Sequence, residues 1–266
     1  MQGLIKILVL LFTLSIIPAF GEVDEKIEVG IDEQLGSYIP LDALFKDAYG
    51  NDVVLSELIT EPTVLAFVYY QCPGICSPLL FELSEVMNKS DLEPGYDYNV
   101  ICISMDELET SEIAGDKKLT FYAAFDKDVP KEAWRFLTGS RAEINKVTEA
   151  AGFYFKRKDD QFLHTGAFIF LDKEGKICRY LIPNYSDKSG FGILPFDFKM
   201  AVLEAGEGKV TPTIARVLQF CFSYDSEGQK YTLNFTRIFG AGIIVLVVLF
   251  LIFIVFKPKK EIIKAR

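Results

Sequence analysis

Two cysteines separated by three residues are the clearest chemical feature of this sequence. Cys72 and Cys76 lie in the run Cys-Pro-Gly-Ile-Cys, between an apolar run that ends at Tyr70 and a helical pattern that opens at Pro78. Ligand sites in α/β proteins collect at the ends of central strands, and the start of a helix stabilises a nearby thiolate. We therefore expect both thiols to have lowered pKa values and to act as nucleophiles or metal ligands.

The spacing of the pair leaves its chemistry open. A Cys-x-x-Cys spacing would favour a dithiol oxidoreductase, and the three residues between Cys72 and Cys76 weaken that interpretation. A plain structural disulfide between them is the alternative, although such bonds usually close larger loops, where the gain in stability is greater. The chain holds five cysteines, an odd number, so they cannot all pair within one chain. At least one thiol is free, metal-bound or joined to a partner.

His164 is the single histidine of the chain, and it lies at the start of an apolar segment. A lone histidine beside apolar residues is more often packed than ligating. Two thiolates and one imidazole nevertheless form a soft donor set that suits copper, because Cu(I) is stable at a low coordination number. Structural zinc prefers four ligands, and it remains an alternative in which an Asp or a water supplies the fourth.

Apolar patterns predict the elements that position these residues. Two nearly continuous apolar runs, 62–70 and 98–105, are typical of central strands covered on both faces. A hairpin is predicted from 162–171 and 176–182, which flank the turn sequence Asp-Lys-Glu-Gly. Strands and helices alternate before this hairpin, and a helical pattern follows it. The sequence therefore predicts an α/β sandwich with a mixed central sheet.

The residues from Tyr69 to Cys76 resemble the Y-x-x-C-P-x-x-C core of the Sco/SenC family of cytochrome c oxidase assembly proteins. Further motifs of that family lie on both sides of this core. They are Pro40-Leu41-Asp42 with Phe45 and Gly50, Ile103-Ser104-Met105-Asp106, and Leu163-His164-Thr165. The resemblance covers residues 34–182, and the combined motifs are far more specific than any one of them. One departure is Asp106-Glu107, where the family usually has an acidic residue followed by proline.

The resemblance implies a thioredoxin-like fold in which two cysteines and a histidine bind one copper ion, as Cu(I) or Cu(II). Carried onto this chain, Cys72, Cys76 and His164 become the metal ligands. Asp106 becomes a carboxylate close to the ligands or, alternatively, the N-cap of the helix after it. The implied partners are cytochrome c oxidase subunit II, whose dinuclear copper site such proteins supply or reduce, and an upstream copper donor or thiol reductant.

Two functions from different classes fit these residues. The first is a copper metallochaperone, a binding and transfer protein rather than a turnover enzyme, in which only the reduced cysteine pair binds metal. The second is a thiol-disulfide reductase, which needs Cys72 and Cys76 but not His164. A thiol peroxidase fits less well, because the Thr or Ser and the Arg of such sites cannot be assigned. A histidine at this place in the sequence favours the metallochaperone.

The other three cysteines are interpreted first as structural residues. Cys102 and Cys178 lie in apolar strands and are predicted to be small buried core residues. Cys221 lies shortly before the C-terminal apolar segment. A role for Cys221 in meeting a partner thiol or a second copper ion stays open.

The two ends of the chain predict its location. Residues 1–21 carry a lysine, a short apolar stretch and small residues before an acidic segment, which predicts a secretory signal peptide. Residues 238–256 carry no charge over about the length that crosses a hydrocarbon core of about 30 Å, which predicts a transmembrane helix. The tail 257–266 is basic and is expected in the cytoplasm, with the domain 22–237 on the extracytoplasmic, periplasmic side.

The charge of the chain excludes one class of partner. The 266 residues carry a formal net charge of −9, and the predicted exported domain is more acidic than the whole. Such a domain does not bind nucleic acid or anionic lipid non-specifically, and it attracts cations and basic partners. We therefore expect no nucleic-acid partner.

Overall fold

The computed structural model describes residues 28–159, 161–186, 190–212, 222–225, 230–233, 240, 243, 246–251 and 253. Its strands are β1 (Gly30–Ile31), β2 (Leu44–Lys46), β3 (Asp52–Val54), β4 (Thr63–Val68), β5 (Asn99–Ser104), β6 (Trp134–Leu137), β7 (Phe153–Tyr154), β8 (Lys156–Lys158), β9 (Gln161–Leu163), β10 (Phe168–Leu171), β11 (Ile177–Leu181), β12 (Asn184–Ser186), β13 (Gly190–Gly192), β14 (Phe222–Asp225) and β15 (Lys230–Leu233). Its helices are α1 (Leu55–Leu58), α2 (Cys76–Lys89), α3 (Ser111–Tyr122), α4 (Arg141–Ala150) and α5 (Pro195–Gly206).

A five-stranded mixed sheet, in the order β11-β10-β4-β5-β6, forms the centre of the described structure. β4 pairs in parallel with β5, and β5 pairs in parallel with β6. β10 runs antiparallel to both β4 and β11. Every residue of β4 is buried, as expected for a central strand with apolar layers over both faces. The predicted α/β sandwich with a mixed, thioredoxin-like sheet is confirmed.

Helices cover this sheet by means of apolar stripes. α5 packs against β10 and β11, α3 packs against β6, and α2 contacts both α3 and α5. The buried side chains of α2 recur at a spacing of three and four residues, which gives the helix one apolar face. The helix begins at Cys76, two residues before the predicted start at Pro78. Proline is tolerated there because the first turn of a helix needs no backbone N–H donor.

The register of the central sheet brings three chain segments to one edge. Val68, the last residue of β4, pairs with Ser104, the last residue of β5. Phe168, the first residue of antiparallel β10, pairs with Ala66 near the end of β4. The segments that leave β4 and β5 and the segment that enters β10 therefore lie side by side.

The strand predicted over 162–171 is two strands in the structure. β9 ends at Leu163 and β10 begins at Phe168, with residues 164–167 in neither. The break arises because β9 pairs antiparallel with β8 in a separate two-stranded sheet. His164 consequently lies in the connection between this small hairpin and the central sheet, and not at the start of a hairpin strand.

The prediction of a transmembrane helix over 238–256 is wrong. Within the part of the chain that the structure describes, no helix is long and apolar enough to cross a membrane. This finding contradicts the predicted location, a membrane-anchored chain with its domain on the periplasmic side and its C-terminus in the cytoplasm. The predicted signal peptide, 1–21, and the tail, 257–266, lie outside the described residues.

Tyr70 ties the end of β4 to its neighbours through a buried hydroxyl. The hydroxyl oxygen lies 2.8 Å from the carbonyl oxygen of Leu137 in β6 and 3.1 Å from that of Cys102 in β5, so these two carbonyls share its one proton. Its ring packs against Phe136. This contact fixes the backbone two residues before Cys72.

Replacing Tyr70 with Phe is expected to lower the free energy of unfolding by about 1–2 kcal/mol, because two buried carbonyls lose a donor while the ring remains. Urea denaturation measures the change. Tyr96→Phe is the matched control, since the Tyr96 side chain is 75% exposed, and it should leave stability unchanged. Equal unfolding midpoints for Tyr70→Phe and the unaltered chain would contradict the assignment.

Candidate metal centre

The two cysteines lie in the turn that leads from β4 into α2. The backbone N–H of Cys72 donates to the Tyr69 carbonyl at 3.3 Å, which closes the turn directly after the strand. The Cys72 sulfur accepts from the backbone N–H of Gly74 at 3.3 Å. Cys76 is the first residue of α2 and is buried, whereas Cys72 is only partly buried. One sulfur therefore faces the interior and the other stays accessible.

The imidazole of His164 reaches the same place from the connection between β9 and β10. Its Nδ1 lies 3.1 Å from the carbonyl oxygen of Thr165. Because a carbonyl oxygen only accepts, Nδ1 carries the proton and Nε2 of the neutral ring has a free lone pair. Nε2 lies 3.5 Å from the sulfur of Cys76. The histidine is thus oriented with its unprotonated nitrogen toward the thiols, as in many metal-binding histidines.

The geometry of the three side chains fits one metal ion. The ligand atoms of Cys72, Cys76 and His164 all lie within 4.8 Å of one another. An ion with metal–sulfur bonds of about 2.3 Å and a metal–nitrogen bond of about 2.0 Å spaces three donors about 4 Å apart. The structure therefore brings together the three residues that the sequence predicts as ligands, at separations that small side-chain rotations can close.

The two thiols differ in acidity, so the prediction that both have lowered pKa values is wrong for Cys76. The hydrogen bond from Cys76 holds the pKa of the Cys72 thiol well below its usual range, and the Tyr69 hydroxyl adds to that effect. Burial raises the pKa of the Cys76 thiol well above its usual range, and the negative charge of Cys72 adds to that effect. Without a metal, the pair therefore shares one proton, which stays on Cys76 and leaves Cys72 as the thiolate.

Tyr69 also contributes to the site, a role that the sequence does not predict. Its hydroxyl hydrogen-bonds to the Cys72 sulfur, and burial together with that thiolate raises the pKa of Tyr69. The Tyr69 ring lies edge-on to the imidazole of His164, at 6.0 Å between centroids, and 5.1 Å from the ring of Phe162. The only signal in the sequence is the position of this tyrosine, three residues before the first cysteine.

Asp106 lies outside the group of three. Its carboxylate forms an ion pair with Arg157 and accepts from the backbone N–H of Leu108 at 3.0 Å. The N-cap of α3 is Thr110, whose hydroxyl accepts from Ile113, so the alternative N-cap role for Asp106 is wrong. Its role as a carboxylate close to the ligands stays a prediction.

The remaining cysteines follow the structural interpretation where they are described. Cys102 and Cys178 are fully buried in β5 and β11, which confirms them as core residues. The indole N–H of Trp134 donates to the Cys102 sulfur at 3.1 Å. Cys72, Cys76, Cys102 and Cys178 are all free thiols in this structure. Cys221 lies outside the described residues.

Comparison with known proteins identifies a matching family. The family model SCO1/SenC matches residues 43–191, which is more than half of the chain. The SCO1 protein homolog of Bacillus subtilis strain 168 is 26% identical over 157 residues, which cover 58% of this chain and 75% of that protein. The range that the family model matches contains Cys72, Cys76 and His164.

Solved structures share the fold. A protein assigned to electron transfer in Aquifex aeolicus VF5 superimposes with a TM-score of 0.57 at 24% identity, over 66% of this chain and 96% of that one. ScoI of Arabidopsis thaliana, solved with copper bound, superimposes with a TM-score of 0.50 at 22% identity, over 64% of this chain and 98% of that one. These similarities support the thioredoxin-like architecture.

Alkylation with iodoacetamide is expected to modify Cys72 first, because it combines accessibility with a lowered pKa. A lowered pKa keeps the thiolate populated as the pH falls, so the rate at Cys72 should stay nearly flat from pH 8 to pH 5. An ordinary thiol with a pKa near 8.5 would slow about tenfold per pH unit over that range. Peptide mass spectrometry of the metal-free, reduced chain measures the rates.

Cys76→Ala is the control for the cause of this behaviour. Removing the hydrogen-bond donor at position 76 should raise the pKa of Cys72 and restore part of the pH dependence. A tenfold loss of rate per pH unit at Cys72 in the unaltered chain, or first modification at Cys102 or Cys178, would show the assignment to be wrong.

Proposed function

The chain belongs to the SCO1/SenC family, and from that membership we propose that it is a copper metallochaperone. It binds one copper ion through Cys72, Cys76 and His164 and assists assembly of the dinuclear copper site of cytochrome c oxidase, with subunit II as the recipient. Two observations support copper as the cargo. Thiolate and imidazole donors are soft ligands that suit copper, and ScoI of Arabidopsis thaliana was solved with copper bound.

The orientation of His164 is the observation that carries the proposal. Its Nδ1 proton is occupied by the Thr165 carbonyl, so the lone pair of Nε2 is directed at the Cys76 sulfur without any rearrangement. A site for thiol exchange alone needs no such nitrogen. An imidazole held in the metal-binding tautomer beside two thiols is what a three-ligand metal site requires.

The difference in burial between the ligands suits transfer as well as binding. Cys76 and His164 are 2% and 5% exposed and form the inner side of the site, whereas Cys72 is partly exposed. A recipient can therefore approach and displace Cys72 first, while the two inner ligands still hold the ion. Ligand exchange of this kind moves copper without leaving it free in solution.

The redox state of the cysteine pair would control loading. Only the dithiol form binds metal, because a disulfide has no thiolate to offer. Oxidation of Cys72 and Cys76 by a partner disulfide forms one S–S bond here and breaks one there, with two electrons and two protons passing to the partner. An upstream thiol reductant would restore the pair, and an upstream copper donor would reload it.

Thiol-disulfide reduction is the second candidate function, and the acidity difference between the thiols favours it. An accessible thiolate at Cys72 can attack a partner disulfide, and the buried Cys76 thiol can then resolve the mixed disulfide. The copper-ligand cysteines of oxidase subunit II would be the substrate. This activity needs no nitrogen ligand, so His164 separates the two functions.

Titration of the reduced full chain with Cu(I) against a competing chelator is expected to give one tightly bound copper per chain. Cys72→Ser combined with Cys76→Ser should abolish this binding. His164→Ala should weaken it by about a hundredfold or more, since even outer hydrogen-bond partners of a ligand contribute about 10–100-fold. Cys178→Ala, which removes a buried thiol in β11, is the control and should bind copper as the unaltered chain does.

The same variants distinguish the two functions when they are tested on an oxidised peptide from the copper-binding segment of subunit II. Equal copper affinity with and without His164 would overturn the three-ligand site. If His164→Ala at the same time kept full peptide reduction, the reductase would become the function. Zinc binding in place of copper, with a water or carboxylate as the fourth ligand, would also contradict the proposal.

A further inference from the structure

The turn between β5 and α3 carries three carboxylates that face the protein rather than solvent. We call residues Asp106, Glu107, Leu108 and Glu109 the acidic turn. Glu109 is 6% exposed, and Asp106 and Glu107 are partly buried, whereas Leu108 is exposed. Carboxylates are rarely buried without partners, because an ion that leaves water must be compensated by hydrogen bonds or charges. The partners of these three lie on both segments that carry the candidate ligands.

Glu109 holds the backbone that leads to the cysteines. One of its oxygens accepts from the backbone N–H of Tyr70 at 2.8 Å, and the other accepts from that of Gln71 at 2.7 Å. The Ser104 hydroxyl donates to the same carboxylate at 2.5 Å. Tyr70 and Gln71 lie between Tyr69, the first residue after β4, and Cys72, where strand pairing has ended. Glu109 thus supplies the acceptors for both amides at this point.

Asp106 and Glu107 hold the β8–β9 hairpin, which leads directly to the histidine. Both form ion pairs with Arg157 on β8, and Glu107 also pairs with Arg141 at 2.6 Å. The Arg157 guanidinium lies over the Phe162 ring, 4.4 Å from its centroid, and Arg157 and Phe162 are paired across the β8–β9 hairpin. Two residues after Phe162 comes His164.

The hairpin depends on these contacts because it is not a strand pair of the central sheet. β8 and β9 form a two-stranded sheet of their own, and such a hairpin is at best marginally stable by itself. The Arg157 guanidinium packs against the ring of Phe162. The ring of Phe162 lies 5.1 Å from the ring of Tyr69, and the ring of Tyr69 contacts the imidazole of His164. The position of the imidazole therefore follows the position of the hairpin.

The geometry points to the acidic turn as the element that sets the distance between the cysteines and the histidine. Glu109 positions residues 69–76, which carry both cysteines and are called the cysteine turn. Asp106 and Glu107 position the β8–β9 hairpin, which leads to His164, through their ion pairs with Arg157. Arg157 and Glu109 are positioning residues and not metal ligands. This inference deepens the proposed copper function and rests on it for its consequence in metal binding, but the positioning itself exists in the metal-free chain.

Two substitutions test the two halves of the turn. Arg157→Gln removes the charge that holds the hairpin, and Glu109→Gln replaces an acceptor for two amides by a side chain with one acceptor and a misplaced donor. Each is expected to weaken Cu(I) binding by about 10–100-fold and to change the absorption spectrum of the Cu(II) form, because the ligands no longer converge. Arg179→Gln is the matched control. This substitution breaks the partly buried ion pair between Arg179 on β11 and Glu204 on α5. The Arg179→Gln chain should bind copper as the unaltered chain does.

A readout without metal separates positioning from the proposed function. His164 is the single histidine, so nitrogen-15 labelling of histidine gives one imidazole whose tautomer can be read directly by NMR. The metal-free full chain should show the Nδ1-protonated form, and Arg157→Gln should shift the signal toward a mixture of tautomers. Arg179→Gln should leave it unchanged. For Glu109→Gln, the matching readout is a faster alkylation of Cys76, since the cysteine turn is released.

The outcomes are distinguishable. If the unaltered chain binds no copper while Arg157→Gln still changes the imidazole signal, the proposed function fails and the positioning role stands. If the chain binds copper and both variants keep its affinity within about twofold, with unchanged imidazole and alkylation readouts, the positioning role is overturned. If either variant unfolds, Arg157→Lys and Glu109→Asp replace them; each keeps the charge but loses the reach or the forked geometry, and smaller shifts in the same direction are expected.

Discussion

The pairing of β4 with β5 on one side and with β10 on the other is the constraint on which the site depends. Parallel pairing ends β4 and β5 at the same edge, and antiparallel pairing starts β10 there. The cysteine turn, the acidic turn and the segment with His164 therefore meet, although they are far apart in sequence. The buried apolar residues of β4 hold this register, because a shift by one residue would turn its side chains to the opposite faces.

The chemistry at this edge follows from unequal environments. Cys76 and His164 are enclosed, and the hydrogen bond from His164 to Thr165 fixes which nitrogen faces the sulfurs. Cys72 is more open, and its thiolate is stabilised by hydrogen bonds from its neighbours. An enclosed pair of donors with one accessible donor can keep an ion from exchanging with solvent and still release it to a partner. The same asymmetry gives one attacking and one resolving thiol.

Local patterns in the sequence were sufficient for the central elements and for the types of residue at the site. The continuous apolar runs predicted β4 and β5, and the cysteine spacing with a single histidine predicted the group that the structure brings together. The pattern over 162–171 failed because apolarity continues through two strands that belong to different sheets. Glu109 and Arg157 could not be found because their partners, Tyr70 and Asp106, lie 39 and 51 residues away, and nothing local marks such pairs. The prediction of a transmembrane helix over 238–256 was based only on the apolarity and the length of that segment.

The central claim is that one ion is held by two sulfurs and one nitrogen of this chain. X-ray absorption spectroscopy of the full chain loaded with one equivalent of Cu(I) tests it most directly, because the method counts the atoms bound to copper. We expect two sulfur neighbours and one nitrogen neighbour, with the nitrogen lost in His164→Ala. A spectrum with sulfur neighbours alone, unchanged by that substitution, would contradict it.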